Sequence, residues 1–376
     1  MSANERLAIT GLGMVTPVGL SVEASCAALR AGVTRFTPIF GKFIDDAKGN
    51  PVPASGGRVP LEWFHGGPVE DEYPGHEAWK LPIPPPSHAF VTPGAARLVE
   101  LAMPAASEAW NAARLADRAP RAIGLYLGVD EAENGRGVIE ALTKQLGVTF
   151  AVERVDSLGR AAGLAALHRA ARHLREGRID VALVGGVDSW VRAEALENLV
   201  ETGRLRDDDH PQGIIPGEAA AFVVLEAAPP TGVRALAWLA GSGVAEEPTA
   251  GTEDASEGVG ITQALRKTLA SGNTKHFPRV VCDLNGDRYR VMEWTYGLVR
   301  VLGALEPLED GPGSNEAWHP ADCIGDTGAA SGTVNLAWAI TAMRKGYGRS
   351  RESLVWGGSD GVLRAAALVS LDEPGA

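Results

Sequence analysis

The sequence has few of the features that mark disulfide-bonded, metal-binding or membrane proteins. Its 376 residues include only three cysteines, Cys26, Cys282 and Cys323, whose wide spacing matches no metal-ligand pattern. No apolar run approaches the length of a membrane span, and residues 1–6 lack the basic and apolar parts of a signal peptide. We therefore expect a reduced, cytoplasmic protein without a membrane span, a metal or another cofactor.

Positive charge is also scarce. The chain has 35 Lys and Arg against 47 Asp and Glu, a net charge of -12, which disfavours nucleic acid and anionic membranes as partners. The basic cluster at residues 344–351 lies in a glycine-containing stretch and is interpreted as a solvated loop. The acidic run at residues 207–209 stands in a predicted turn, and we expect no metal there.

What the chain does have is apolar and small residues in an α/β pattern. With 45% hydrophobic residues and 46 glycines it can bury a large core. Residues 156–189 predict a turn, a helix with small residues at helical spacing, and a buried strand from Val181 to Val184 that ends at two glycines. Further strands are predicted at residues 122–129, 219–226, 233–239, 279–284, 353–356 and 365–371, with helices at 21–31 and 260–270.

Three segments resemble the β-ketoacyl synthases of the thiolase superfamily. They are LAITGLGMVTPVG at residues 7–19, AARHLREGRIDVALVGGVDS at 170–189 and PGEAAAFVVLE at 216–226. The resemblance implies a thiolase fold: two similar α/β halves in a five-layer α-β-α-β-α arrangement. It places the N-terminal half at residues 1–228 and the C-terminal half at 229–376.

The same resemblance implies that the catalytic Cys-His-His set is missing. Arg160 stands where the family has its cysteine, Asn285 at the first histidine and Asp326 at the second. A guanidinium is a permanent cation and cannot act as a nucleophile. We therefore predict no intact catalytic residue, and in the last glycine-rich turn Gly358 takes the place of the family's acyl-gating phenylalanine.

A buried cation at a helix start needs a carboxylate partner. Asp326 is the predicted partner of Arg160, with Asp156 and Asp283 as alternatives. Cys282 and Cys323 fall near the same site, so a relocated thiol nucleophile is the competing hypothesis.

These losses favour a catalytically inactive, dimeric scaffold, adaptor or accessory subunit, of the kind found beside bacterial secreted effectors. The alternatives are an acyltransferase of the 3-oxoacyl-ACP synthase type and a chain-length-factor-like partner of an active synthase, and each brings an acyl-carrier protein as a partner.

Two surfaces are candidates for contacts with other chains. Val148, Phe150 and Val152 alternate in a predicted strand that ends at Val155, and the resemblance implies a homodimer through this strand. The excursion at residues 60–90 is rich in aromatics and prolines and is a second candidate surface. Its candidate anchors are Trp63, Phe64, Tyr73 and Trp79.

Overall fold

The computed structural model describes residues 7–39, 54–60, 94–117, 121–207, 210–227, 229–252, 254–272, 274–307, 310–312 and 316–373. The strands of these ranges are β1 (Leu7–Val15), β2 (Thr37–Ile39), β3 (Ala54–Gly56), β4 (Ile123–Val129), β5 (Val152–Ser157), β6 (Val181–Ser189), β7 (Glu218–Glu226), β8 (Ala237–Glu246), β9 (Arg279–Cys282), β10 (Glu352–Gly358) and β11 (Leu363–Ser370). The helices are α1 (Val22–Arg30), α2 (Gly94–Ala112), α3 (Arg136–Leu146), α4 (Ala162–Arg175), α5 (Ala193–Glu201), α6 (Val259–Gly272), α7 (Arg288–Arg300), α8 (Ala321–Ile324) and α9 (Ser331–Arg344).

Nine of the strands form one mixed sheet in the order β5-β4-β6-β7-β1-β8-β11-β10-β9. The two halves of this sheet repeat the same pattern. From β1 outward, successive pairs through β7, β6 and β4 are antiparallel, antiparallel and parallel. From β8 outward, the pairs through β11, β10 and β9 follow the same sequence. The two halves join through the short antiparallel pairing of β1 with β8.

The helices form the remaining layers. Helices α4 and α9 contact strands of both halves and lie between them, whereas α2 and α3 cover the outer face of the first half and α6 and α7 that of the second. In α9 every residue except the terminal Arg344 is buried, as a helix enclosed between the two halves of the sheet requires. The predicted five-layer α-β-α-β-α fold is thereby confirmed. The boundary between residues 228 and 229 stays a prediction.

Helices α4 and α9 begin in the same way, and this positions the site. Each follows a short 3-10 turn, Gly159–Ala161 before α4 and Gly328–Ala330 before α9. Gly159 and Gly328 have φ values of 66° and 52°, in the left-handed region that favours glycine. The two turns contact each other, so the N-termini of α4 and α9 lie close together.

Several predicted boundaries were wrong. The strand predicted at residues 148–155 begins only at Val152. Gly147 closes α3 in a left-handed conformation, and pairing with β4 starts at Val152, opposite Gly124. The strand predicted at residues 233–239 is β8, which runs to Glu246 because pairing with β11 extends it. Sequence pattern did not reveal this extension because its glycines weaken the strand signal. Gly243 is required there, since a Cβ would lie 2.6 Å from the carbonyl oxygen of Ala264 in α6.

Candidate functional site

Arg160 lies in the 3-10 turn between β5 and α4, and its side chain is only 2% exposed. Its Nε donates to Oδ2 of Asp326 at 2.6 Å and its Nη1 donates to Oδ1 of Asp360 at 2.7 Å. The guanidinium carbon stands 4.1 Å from the ring centroid of Trp190, a cation–π contact that covers one face. The cation at this helix start is therefore held by two carboxylates and an indole.

Asp326 lies between α8 and the turn before α9, and local backbone bonds fix it. Its N–H donates to the carbonyl of Ile215 at 2.7 Å, and its own carbonyl accepts from Gly217 at 2.9 Å. Gly325 has a φ of 77°, which lets the chain turn sharply out of α8. The carboxylate then points at Arg160, and its Oδ1 accepts from the N–H of Gly328 at 2.9 Å.

Asn285 follows β9 and completes the predicted set. Its Nδ2 donates to the same Oδ2 of Asp326 at 2.5 Å. Arg160, Asn285 and Asp326 therefore meet at one carboxylate oxygen, and the Arg160–Asp326 ion pair predicted from the sequence is confirmed. That these three positions descend from a Cys-His-His set stays a prediction.

The two alternative partners of Arg160 bond other arginines. Asp156 accepts two bonds from Arg169, at 2.7 and 3.2 Å, on the outer part of α4. Asp283 accepts from Nη1 of Arg290 at 3.1 Å and from the N–H of Gly358 at 2.9 Å. Neither carboxylate is bonded to Arg160.

A wider ion-pair network surrounds the buried pair. Asp360 also accepts from Nη2 of Arg290 at 2.9 Å and from Nη1 of Arg204 at 3.0 Å. Arg204 donates in turn to Asp287 at 2.6 Å, the residue that caps the N-terminus of α7. Since the Asp360 side chain is 40% exposed and that of Arg160 is 2% exposed, the network runs from the interior to the surface.

The charges in this network shift several pKa values. Burial opposes the charged form of Arg160, but the charges of Asp326 and Asp360 outweigh it and raise the pKa of the guanidinium. Burial alone would raise the pKa of Asp360, yet Arg160 and Arg290 hold it well below its usual range. Burial raises the pKa of Asp283, although Arg290 opposes this. Arg160 and Asp360 are therefore both charged at neutral pH.

Gly358, predicted in a glycine-rich turn, is the last residue of β10, and the space around it is too small for a bulky side chain. A Cβ placed there would lie 2.8 Å from Cδ of Arg364 and 3.4 Å from Nη1 of Arg290. Arg290 also donates to the Gly358 carbonyl. Glycine at this position therefore lets two buried arginines pack against the turn.

The thiols are poor candidates for a nucleophile. Burial raises the pKa of Cys282, whose thiol donates to the Trp318 carbonyl at 3.6 Å. Burial likewise raises the pKa of Cys323, and the charge of Asp322 adds to the shift. A thiolate is the reactive form, so both environments oppose nucleophilic chemistry at neutral pH.

Sequence reasoning missed part of this site. Asp360, Arg204 and Arg290 were not predicted, and neither was Trp190 above Arg160. For Asp360, Arg204 and Arg290 the one available signal was the presence of charged residues in RLRDDD, DRYR and GGSDG, which stand beside segments that resemble the family. Pattern alone does not show which of these charges point inward.

Other predicted features lie away from the site or outside the described residues. Trp63, Phe64, Tyr73 and Trp79 fall in residues 61–93, outside the described ranges. In the basic cluster, Arg351 is exposed and pairs with Asp372. Within the described part of the chain, no three His, Cys, Asp or Glu side chains are placed to hold a metal ion. No helix of that part is both long and apolar enough to cross a membrane.

The chain resembles known proteins in one segment of its sequence and over almost its whole fold. Residues 147–230 match the sequence profile of the family described as beta-ketoacyl synthase, N-terminal domain. No curated protein sequence matches the chain.

Solved structures match over almost the whole chain. The ketosynthase from module 6 of the bacillaene synthase from Bacillus subtilis 168 is 15% identical with a TM-score of 0.72, and the match covers 99% of this chain and 73% of that one. The ishigamide ketosynthase/chain length factor is 20% identical with a TM-score of 0.72, covering 98% and 99%. A type II ketosynthase in complex with its acyl-carrier protein is 15% identical with a TM-score of 0.73, also covering 98% and 99%.

The fold is therefore the thiolase fold of the ketosynthases. Residues 147–230, the segment that matches the family profile, contain β5, Arg160 and β6.

Proposed function

We propose that this chain is a catalytically inactive ketosynthase-like protein that serves as a dimeric scaffold, adaptor or accessory subunit. The observation that carries the proposal is the buried Arg160–Asp326 ion pair, 2.6 Å long, at the helix start that the resemblance aligns with the family's nucleophile. This pair fills the position with a permanent cation and its counter-ion.

The chemistry of the surrounding groups supports the proposal. Decarboxylative condensation needs a nucleophile that accepts the acyl group and donors that stabilise the enolate and thioester oxyanion. Arg160 has no nucleophilic lone pair, and the Asn285 amide bonds the Asp326 carboxylate instead of facing a substrate oxygen. Among the described histidines, none hydrogen-bonds to Arg160, Asn285 or Asp326.

The sheet edge supports the dimeric part of the proposal. β5 is the outermost strand on its side of the sheet, so one of its edges has no strand partner in the described chain. Ala151, just before β5, donates its N–H to the carbonyl of Ile123, the first residue of β4. Since successive N–H groups of a strand point to opposite sides, those of Val152 and Arg154 point to the free edge. A second copy would satisfy them by extending the sheet.

Intact-mass spectrometry tests the inactive assignment. The purified protein is incubated with acetyl-, malonyl- and longer acyl-CoA and with acyl-carrier protein, beside an active ketosynthase as positive control. We expect no covalent mass increase and no release of CO2. An acyl adduct, on Cys282, Cys323 or elsewhere, contradicts the proposal.

A chain-length-factor-like role is the second candidate. Its support is the match to the ishigamide ketosynthase/chain length factor over 98% of this chain and 99% of that one. In this role the β5 edge pairs with an active synthase instead of a second copy. Co-expression with an active type II ketosynthase, followed by affinity capture, distinguishes the two candidates. A stable one-to-one complex favours the second candidate, and a homodimer favours the first.

The alternative of an active acyltransferase predicts an accessible acyl site. The same incubation tests it, since transfer of an acyl group from CoA to acyl-carrier protein without a protein adduct would be detected as acylated carrier protein.

A further inference from the structure

Asp360 accepts hydrogen bonds from three different arginines. It lies in the turn between β10 and β11 and accepts from Arg160 at 2.7 Å, Arg290 at 2.9 Å and Arg204 at 3.0 Å. Its side chain is nevertheless 40% exposed. Three guanidinium groups thus converge on one carboxylate that solvent can reach.

Each of these arginines also pairs with a second carboxylate. These partners come from elements other than the turn that carries Asp360. The second pairs are Arg160–Asp326 at 2.6 Å, Arg290–Asp283 at 3.1 Å and Arg204–Asp287 at 2.6 Å.

Two hydrogen-bond donors in this cluster are unused. Nη2 of Arg160 and Nε of Arg290 are buried and have no hydrogen-bond partner in the described chain. Buried N–H groups of charged side chains are normally satisfied, and an unsatisfied one points to a bound group. The field at the site also favours an anion, since the arginines hold the pKa of Asp360 below its usual range against the effect of burial.

We propose that Arg160, Arg204 and Arg290 form a binding site for a small organic carboxylate, and that Asp360 occupies this site as an intramolecular ligand. A free carboxylate binds by displacing Asp360 from the three guanidinium groups. Bidentate arginine–carboxylate geometry favours this class of ligand. The inference does not depend on the proposed accessory role, because it concerns binding and not acyl transfer.

Chemical rescue tests the site. Asp360→Ala removes the intramolecular carboxylate, and acetate, which has the same carboxylate-bearing group as an aspartate side chain, is added as the probe. We expect acetate at tenfold its Kd to raise the Tm of Asp360→Ala by about 2 °C more than that of the wild type. Sodium chloride at equal ionic strength controls for screening.

Two further variants make the result specific. Asp372→Ala removes an exposed aspartate that pairs with a single arginine, Arg351, and should show no acetate effect beyond that of the wild type. Arg204→Gln in the Asp360→Ala background should remove the extra rise. If Asp360→Ala does not fold, Asp360→Asn, which keeps the size of the side chain, is titrated instead by calorimetry.

Three results would overturn the inference. They are an equal Tm rise in Asp360→Ala and Asp372→Ala, a rise that survives Arg204→Gln, and a larger rise with phosphate than with acetate. The acyl-adduct experiment is unaffected by any of them, so failure of this inference and failure of the proposed function are separate outcomes.

Discussion

Arg160 and Asp326 are 166 residues apart in the sequence, yet their side chains bond across 2.6 Å and each is only 2% exposed. The pair joins the two structural repeats, because Arg160 precedes α4 and Asp326 precedes α9. An ion pair this deep gains little over an apolar replacement of both residues, but loss of one partner leaves a buried charge. A single substitution at either position is therefore expected to be much more destabilising than an apolar replacement of both residues.

Replacement of Arg160 alone should be strongly destabilising. Arg160→Met leaves Asp326 buried with only Asn285 and Gly328 as hydrogen-bond donors. We expect the free energy of unfolding to fall by about 3–5 kcal/mol. Urea unfolding followed by circular dichroism measures the change.

The double variant Arg160→Met/Asp326→Asn is the matched control. With the uncompensated charge removed, it should recover most of the lost stability. Arg351→Met removes an exposed arginine from its pair with Asp372 and should cost less than about 1 kcal/mol. If Arg160→Met lowers the free energy of unfolding by no more than Arg351→Met does, Asp326 is not left as an uncompensated buried charge.

The free edge of β5 predicts a sensitive position for dimerisation. Arg154 is exposed, and Arg154→Pro removes an N–H that points away from β4. Light scattering after size exclusion should give twice 39.3 kDa for the wild type and for Arg154→Ala, and one copy for Arg154→Pro. A dimeric Arg154→Pro protein would place the interface elsewhere.

Asp188 predicts a fall in stability as the pH rises. It is fully buried and accepts from the N–H of Ala329 at 2.9 Å and from Nε1 of Trp190 at 3.2 Å. Burial, and then the charge of Asp130, raise the pKa of Asp188 to about 7. Between its ordinary pKa of 3.8 and that value the folded state holds a proton that the unfolded state releases.

The contribution of Asp188 should therefore fall by up to about 1.4 kcal/mol per pH unit through this window and level off above it. Asp188→Asn should flatten the profile of unfolding free energy between pH 4 and 7 relative to the wild type. Asp117→Asn changes an exposed aspartate and should follow the wild-type profile. Parallel curves for the wild type and Asp188→Asn would show that Asp188 does not titrate in this range.

Two glycines should respond in opposite directions to alanine. A Cβ on Gly13 in β1 would overlap the carbonyl oxygen of Ala105 and lie 2.6 Å from the N–H nitrogen of Ala109, whereas a Cβ on Gly137 in α3 meets only Val99 at 3.9 Å. Gly13→Ala should cost about 1–3 kcal/mol or more, because β1 and α2 must move apart. Gly137→Ala should add about 0.5–1 kcal/mol to the unfolding free energy, since alanine favours the helix. Equal effects in thermal unfolding would contradict the close contact between β1 and α2.

Local pattern was sufficient for most elements of the fold. The helix predicted at residues 21–31 is α1, which Ser21 caps by accepting from the N–H of Ala24. The buried strand predicted at residues 122–129 is β4, and the helix predicted at 260–270 is α6. These elements are set by side-chain periodicity and by caps within a few residues, which sequence records directly.

The pattern failed where distant packing overrides propensity. β6 was predicted from Val181 to Val184 but runs on to Ser189 through two glycines. Gly186 is required there because a Cβ would meet the Ala329 carbonyl and lie 3.0 Å from Oγ1 of Thr333 in α9. From sequence alone, a pair of glycines indicates the end of a strand, because the local pattern does not show the helix that packs closely against them.

The sequence by itself predicted a ketosynthase-like α/β fold, and the resemblance to that family singled out Arg160, Asn285 and Asp326 as the predicted counterparts of its catalytic set. It also determined that a buried arginine there would need a carboxylate, because the cost of an unpaired charge does not depend on the details of the fold. Only the tertiary structure determined which carboxylates pair with Arg160. Asp360 reaches Arg160 because the β10–β11 turn and the turn before α4 meet in space, 200 residues apart in the chain, and no local pattern encodes such a distance.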